Sequence, residues 1–167
     1  MGDLNNKIIV ITGGAQGIGA ATAKLCAKRG ATLVISDIDE SPGESTVKEI
    51  EAGGGNARFV KTDVRDPAAV KALFDATVEA HGRVDAVVCA AGVLIAAAQT
   101  PEEMSVEDFM FTLDVNTKGT FLCAKYATPL LEKAQGVMVI IASPAGVTGP
   151  SGSLAYGASK GGVNGLA

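Results

Sequence analysis

Tyr156 and Lys160 stand four residues apart in Tyr156-Gly-Ala-Ser-Lys160, a spacing that places both side chains on one face of a helix. A phenol with an ordinary pKa of about 10 is a poor base at neutral pH. A neighbouring ammonium, or a cationic ring bound beside it, favours the phenolate and moves the group towards working range for proton transfer. Ser143 lies thirteen residues upstream, at the C-terminal end of the apolar run Val137–Ala142. Open α/β sheets hold their ligands at that end, so its hydroxyl is placed to hydrogen-bond a carbonyl or alcohol oxygen. Singly, each residue has a plainer reading: Ser143 as a loop cap, Tyr156 as a half-buried aromatic, Lys160 as surface charge.

A second group of residues points to phosphate. Thr12-Gly-Gly-Ala-Gln-Gly-Ile-Gly19 follows an apolar strand and precedes a helical pattern. Gly13 and Gly17 permit a tight turn and a close approach of phosphate to backbone N–H groups, and Gln16, Gly17 and Ile18 open a helix whose N-terminal dipole favours negative charge. Gly19 lets that helix pack closely on the sheet. No Gly-Lys-Ser/Thr follows, which excludes a Walker loop. A glycine-rich turn of this kind can also be purely structural. Asp37, 18 residues past Gly19, closes the second strand where a carboxylate would bond an adenosine ribose 2′-hydroxyl. Its alternative is a helix cap or solvated loop carboxylate. A carboxylate there repels a 2′-phosphate, and Gln16 and Ile38 stand where a compensating Arg would be, so NAD is expected over NADP.

The elements that must position these residues alternate. Lys7–Thr12, Thr32–Asp37, Val84–Cys89 and Val137–Ala142 are nearly continuous apolar runs, as expected of parallel strands covered on both faces. Ala57–Thr62 alternates instead, which predicts an edge. Between them, Ile18, Thr22 and Leu25 share a helical face that ends at Gly30, and Ser41-Pro42-Gly43-Glu44 reads as a capping box that starts a helix stopped by Gly53–Gly55. Asp66-Pro67 opens a third helix ending before Gly82, and Ser105 opens a long one running towards Pro129. Strand–helix alternation implies one α/β domain over 1–167, with a doubly wound parallel sheet and right-handed crossovers.

Composition sets the outer bounds. The chain has 167 residues, is 47% hydrophobic and 19% charged, and carries a net charge of −4, which excludes disorder and argues against a nucleic-acid partner. The N-terminus lacks a signal-peptide pattern. Two uncharged stretches, Ala86–Ala98 and Ala134–Ser159, are too short or too broken by Gly and Pro for a span of about 20 residues, so no membrane partner is expected. Cys26, Cys89 and Cys123 have no CxxC spacing and read as buried thiols in a reducing cytoplasm, with neither disulfide nor metal. His81 sits at a helix end, where its charge suits the dipole better than catalysis.

Taken in order, TGGAQGIG, Asp37, Asp63-Val64, Cys-Ala-Ala-Gly at 89–92, Asn116, Ser143 and Tyr156-x-x-x-Lys160 closely resemble the classical short-chain dehydrogenase/reductase family across the whole chain. The resemblance implies a Rossmann-type fold and a nicotinamide-dependent oxidoreductase acting on a small alcohol or carbonyl. It implies that Tyr156 is the catalytic acid/base, that Lys160 lowers its pKa and holds the nicotinamide ribose, and that Ser143 orients the substrate oxygen. Asn116, within Asp114-Val-Asn-Thr-Lys-Gly119, is similar to the asparagine that interrupts the long helix and holds a relay water. Asp63 and Val64 match an adenine-contacting pair, and Ala90, Ala91 and Gly92 match the turn lining the cofactor. Two departures stand out. Cys89 replaces the family's usual asparagine, which predicts weaker support for the cofactor loop. The chain also ends seven residues after Lys160, so the family's last two strands and substrate-covering segment are expected to be missing. The second expectation is therefore a truncated, non-catalytic NAD-binding or interaction module, whereas a full C-terminal part would imply a homo-oligomer.

Overall fold

The computed structural model describes residues 3–148 and 152–167. Five parallel strands form one sheet: β1 (Ile8–Thr12), β2 (Thr32–Asp37), β3 (Asn56–Lys61), β4 (Ala86–Cys89) and β5 (Val137–Ile140), in the order β3-β2-β1-β4-β5. The chain reverses direction across the sheet at β1 and β4, so the C-terminal ends of those two strands border the crevice where doubly wound sheets bind ligands.

The continuous apolar runs fill two cores. Val10, Val34, Val87 and Cys89 face Val70, Leu73 and Phe74 of α3 (Pro67–His81) and Leu122, Cys123 and Ala127 of α5 (Gly119–Ala134). On the opposite face, Ile9, Ile11, Leu33, Ile35 and Val88 pack against Ala23 of α1 (Gly17–Ala27) and Ile50 of α2 (Glu40–Ala52). The register makes this consistent, since Val10 pairs with Val34 and with Val87, and Ile11 with Ile35 and Val88. The three central strands β2, β1 and β4 therefore bury alternate side chains on opposite faces. β3 is an edge, as its alternation predicts. β5 is the other edge, and Val137 and Val139 are 56% and 46% exposed along it.

Two helix boundaries differ from the sequence reading. α2 begins at Glu40 with Asp39 as its N-cap, so Pro42 occupies the third helical position instead of the first. The first-turn N–H groups have no intrahelical partner, and a proline fits there at no cost. Pro129 does not end the long helix, because α5 continues to Ala134. Leu131, beyond the proline, is packed into the core, and that burial outweighs one lost backbone bond. Elsewhere the caps are as read. Asp66 accepts from the Ala68 amide at 2.8 Å, Ser105 accepts from the Asp108 amide at 3.0 Å to open α4 (Val106–Leu113), and Gly82 takes the left-handed conformation after α3.

Between α4 and α5 the helix widens into one π-helical turn, Asp114–Lys118, with Asn116 buried at its centre. A short α6 (Ala145–Thr148) and α7 (Leu154–Leu166) follow β5. Gly146 lies directly against the backbone of Lys160 and Gly161, where a Cβ would be 2.4–2.5 Å away in contact with main-chain atoms, so α6 and α7 meet with no side chain between them. Among the described residues, no helix is long and apolar enough to cross a membrane, and no group of metal-ligating side chains gathers.

Candidate active site

The turn after β1 is built from backbone. Gly13 has φ 67°, and a Cβ there would lie 2.5 Å from the Ala91 nitrogen, so this turn and the turn after β4 touch main chain to main chain. The Ala90 amide donates to the Thr12 carbonyl at 3.1 Å and ties the two together. A Cβ on Gly19 would strike the Gly13 carbonyl, which explains why α1 starts so close to the sheet. Gln16 is the N-cap of α1 but makes no side-chain cap bond, and no acidic residue lies in the first turn. The first N–H groups of α1 are therefore left for an anionic ligand, at the positive end of the helix dipole.

A cleft of about 340 Å³ runs from this turn across the C-terminal ends of the strands. It brings together Gly13, Gln16, Gly17, Ile18, Gly19, Asp37, Asp63, Val64, Ala90, Ala91 and Gly92, which is every cofactor-binding position expected from sequence apart from Tyr156 and Lys160. Asp37 Oδ2 accepts from the Ala15 amide at 3.1 Å, which fixes the carboxylate beside the glycine turn. Asp63 is clamped by Arg65, and this bonding holds its carboxyl below the usual carboxylate range against the opposing effect of burial. A nicotinamide dinucleotide fits these residues: a Cβ-free cradle and free helix amides for the pyrophosphate, and a carboxylate at the far end for a ribose.

Tyr156 and Lys160 lie on α7 beyond the inner end of the cleft. The Lys160 ammonium is 5.7 Å from the centroid of the Tyr156 ring, so the expected shared face exists. Lys160 is only 5% exposed, and burial pushes its pKa below the usual lysine value. Its one hydrogen bond among the described residues goes to the Ile141 carbonyl at 2.6 Å. A Cβ on Gly92 would stand 3.9 Å from the ammonium nitrogen, which places the remaining donors next to the cleft. Ser143 follows β5 and accepts from the Ala145 amide at 3.2 Å, opening the turn into α6.

Asn116 connects these parts. Its Oδ1 accepts from the Val93 amide at 2.8 Å, while Nδ2 donates to the Val93 carbonyl and to Ser159 Oγ, both at 2.9 Å. Ser159 lies between Tyr156 and Lys160 and donates to the Tyr156 carbonyl at 2.8 Å. The π-turn thus pins the loop after β4 to the helix that carries the pair, and both amide hydrogens of Asn116 are used in doing so. Ser159 was not legible as a participant, although its position between the pair was the available signal. Arg65, Phe111 and Val115 also line the cleft without having been singled out. Cys89 is buried against Cys123, and that thiol contact together with burial pushes its pKa far up, so it stays protonated.

Known proteins share this fold and much of this sequence. Residues 7–167 match the family model described as short chain dehydrogenase. A 3beta-hydroxysteroid dehydrogenase of Mediterraneibacter gnavus is 38% identical over 99% of this chain and 60% of its own length. An uncharacterized oxidoreductase of Thermotoga maritima is 39% identical over 98% of this chain and 64% of its own. The crystal structure of a dehydrogenase/reductase from Sinorhizobium meliloti superposes with a TM-score of 0.91 at 34% identity, covering 98% of this chain and 65% of that one. The chain spans about three-fifths of the length of the curated relatives it matches.

Proposed function

The chain belongs to the short-chain dehydrogenase family, and from that premise we propose that it is an NAD-dependent oxidoreductase in which Tyr156 exchanges a proton with an alcohol or carbonyl substrate. The observation that carries this reading is Lys160: a buried ammonium with one described hydrogen bond, close both to the Tyr156 ring and to Gly92 in the cleft wall. A cation so placed leaves donors for ribose hydroxyls, and its burial is costly unless a ligand completes its bonding.

Bound nicotinamide dinucleotide supplies the hydride acceptor or donor at the substrate carbon. The chain's residues handle the rest. In oxidation the Tyr156 phenolic oxygen takes the hydroxyl proton as hydride leaves the carbon; in reduction it returns that proton to the carbonyl oxygen. Ser143 donates to the same substrate oxygen and fixes its distance from Tyr156. Asn116 is a positioning residue that keeps α7 against the loop after β4. Gly13, Gln16, Gly17, Ile18 and Gly19 hold the pyrophosphate, Asp63, Val64 and Ala90–Gly92 line the nucleoside path, and Asp37 takes the adenosine ribose, favouring NAD because its carboxylate meets any 2′-phosphate.

Replacing Tyr156 with Phe tests the reading: turnover with secondary alcohols is expected to fall by about 10²-fold or more while NADH affinity stays within twofold. Retained turnover removes Tyr156 from the mechanism. The exposed apolar edge of β5 favours a second reading, a cofactor-binding module that associates through that strand. Saturable NADH binding with no turnover on any alcohol, together with self-association in gel filtration, would select it.

A further inference from the structure

Among the described residues, the adenosine end of the cleft is lined by three carboxylates, Asp37, Asp39 and Asp63, and by one cation, Arg65. Arg65 is held unusually firmly for a half-exposed side chain. Its Nε donates to both carboxylate oxygens of Asp63 at 2.9 and 3.0 Å, its terminal nitrogen adds a bond of 2.6 Å, and its own backbone amide donates to Asp63 Oδ1 at 2.9 Å. One face of the guanidinium lies over the Phe111 ring, 4.9 Å from the centroid. Phe111 belongs to α4 and is itself part of the cleft lining. An edge fixed by a carboxylate and a face fixed by an aromatic ring together give a rigid plane, not a mobile charge.

We propose that Arg65, latched by Asp63 and backed by Phe111, positions the adenine base, forming with Phe111 a flat wall on which a purine stacks. This deepens the cofactor reading above and rests on it. A guanidinium plane and a phenyl ring both favour a neutral heteroaromatic face, and stacking of that kind tolerates no loss of planarity. Because the charge of Arg65 is already spent on Asp63, the wall recognises the base and not a phosphate. It follows that Arg65 supports affinity for adenosine-containing ligands only, and leaves the nicotinamide half untouched.

The test compares NADH, NADPH, ADP-ribose and reduced nicotinamide mononucleotide, the last of which lacks the adenosine half. The chain has no Trp, so NADH and the mononucleotide are followed by direct excitation of their own fluorescence and ADP-ribose by displacement. Arg65→Ala is expected to weaken NADH and ADP-ribose about tenfold and to leave the mononucleotide within twofold. Arg65→Lys, which keeps the charge and loses the plane, is expected to recover little of that loss. Phe111→Leu, which keeps an apolar contact, should weaken the same two ligands in the same direction, and circular dichroism checks that each variant remains folded. NADH affinity within twofold of wild type in Arg65→Ala overturns the proposal. So does an equal loss for the mononucleotide, full recovery in Arg65→Lys, or a loss confined to NADPH, which would make Arg65 a phosphate partner. If wild type binds neither NADH nor ADP-ribose, the cofactor reading itself fails; that outcome is separate from a wild type that binds both and variants that do not change.

Discussion

Gly13→Ala separates two costs that a glycine can hide. The first is conformational: Gly13 has φ 67°, and an alanine in the left-handed region costs about 1 kcal/mol. The second is steric. The new Cβ would sit 2.5, 2.6 and 2.7 Å from the Ala91 nitrogen, the Ala91 Cα and the Ala90 carbonyl carbon, against an ordinary contact of at least 3.4 Å. These are backbone atoms of a turn tied to Thr12, so no rotamer change relieves the clash and the two turns must part. Overpacking of that kind costs about 1–3 kcal/mol, giving a total of about 2–4 kcal/mol. Gly17 provides the control, with φ 57° and nothing within 4 Å of its Cβ position, so Gly17→Ala carries only the conformational cost of about 1 kcal/mol. Urea unfolding of both variants measures the difference, and NADH titration is expected to show weaker binding in Gly13→Ala because the parted turns line the cleft. Equal destabilisation in the two variants would refute the steric argument, as would a Gly13→Ala protein as stable as wild type.

Other perturbations have equally definite signs. Asp37→Asn removes the charge facing a 2′-phosphate, so the ratio of NADPH to NADH affinity is expected to rise about tenfold in a fluorescence titration. Asp85 is 4% exposed, and although burial works against its charged form, the Ile8 amide, Arg83 and Lys7 together hold its carboxyl below the usual carboxylate range. A depressed native pKa means that its contribution is present above about pH 4 and lost as pH falls through the native value. Asp85→Asn should cost about 2–3 kcal/mol at pH 7 in urea unfolding, and the gap to wild type should close in acid. Lys160 also has a depressed native pKa, but there folding favours the neutral form. Burial lowers its native pKa, so its charge costs stability below that value, and wild type gains stability as pH rises from the native pKa towards the unfolded one. Lys160→Met is expected to melt no lower than wild type near pH 7, and to lose turnover.

The sheet was legible because its three central strands are apolar on both faces. Runs such as Ile8–Ile11 and Leu33–Ile35 leave a parallel, covered sheet as the arrangement that buries them. The glycine turn and the Tyr156–Lys160 pair were legible for a local reason: their geometry follows from spacing within one turn or one helix. What was not legible depends on residues distant in the chain. Asn116 meets Val93 and Ser159 across 23 and 43 positions, and only the packing of the π-turn against the loop after β4 and α7 brings them together. Arg65 and Phe111 meet for a similar reason, through the approach of α4 to the loop after β3. The start of α2 escaped because Pro42 satisfies the rules equally well one or three positions into a helix, and the choice fell to Asp39.

Under the proposed function this chain holds a nicotinamide dinucleotide along the crevice between β1 and β4, with its reactive end at Lys160. Titration of the 167-residue chain with NADH tests it most directly. Saturable binding that ADP-ribose displaces, and that Gly13→Ala and Lys160→Met both weaken, is the predicted result. An absence of saturable binding, or binding that neither substitution alters, would contradict the account.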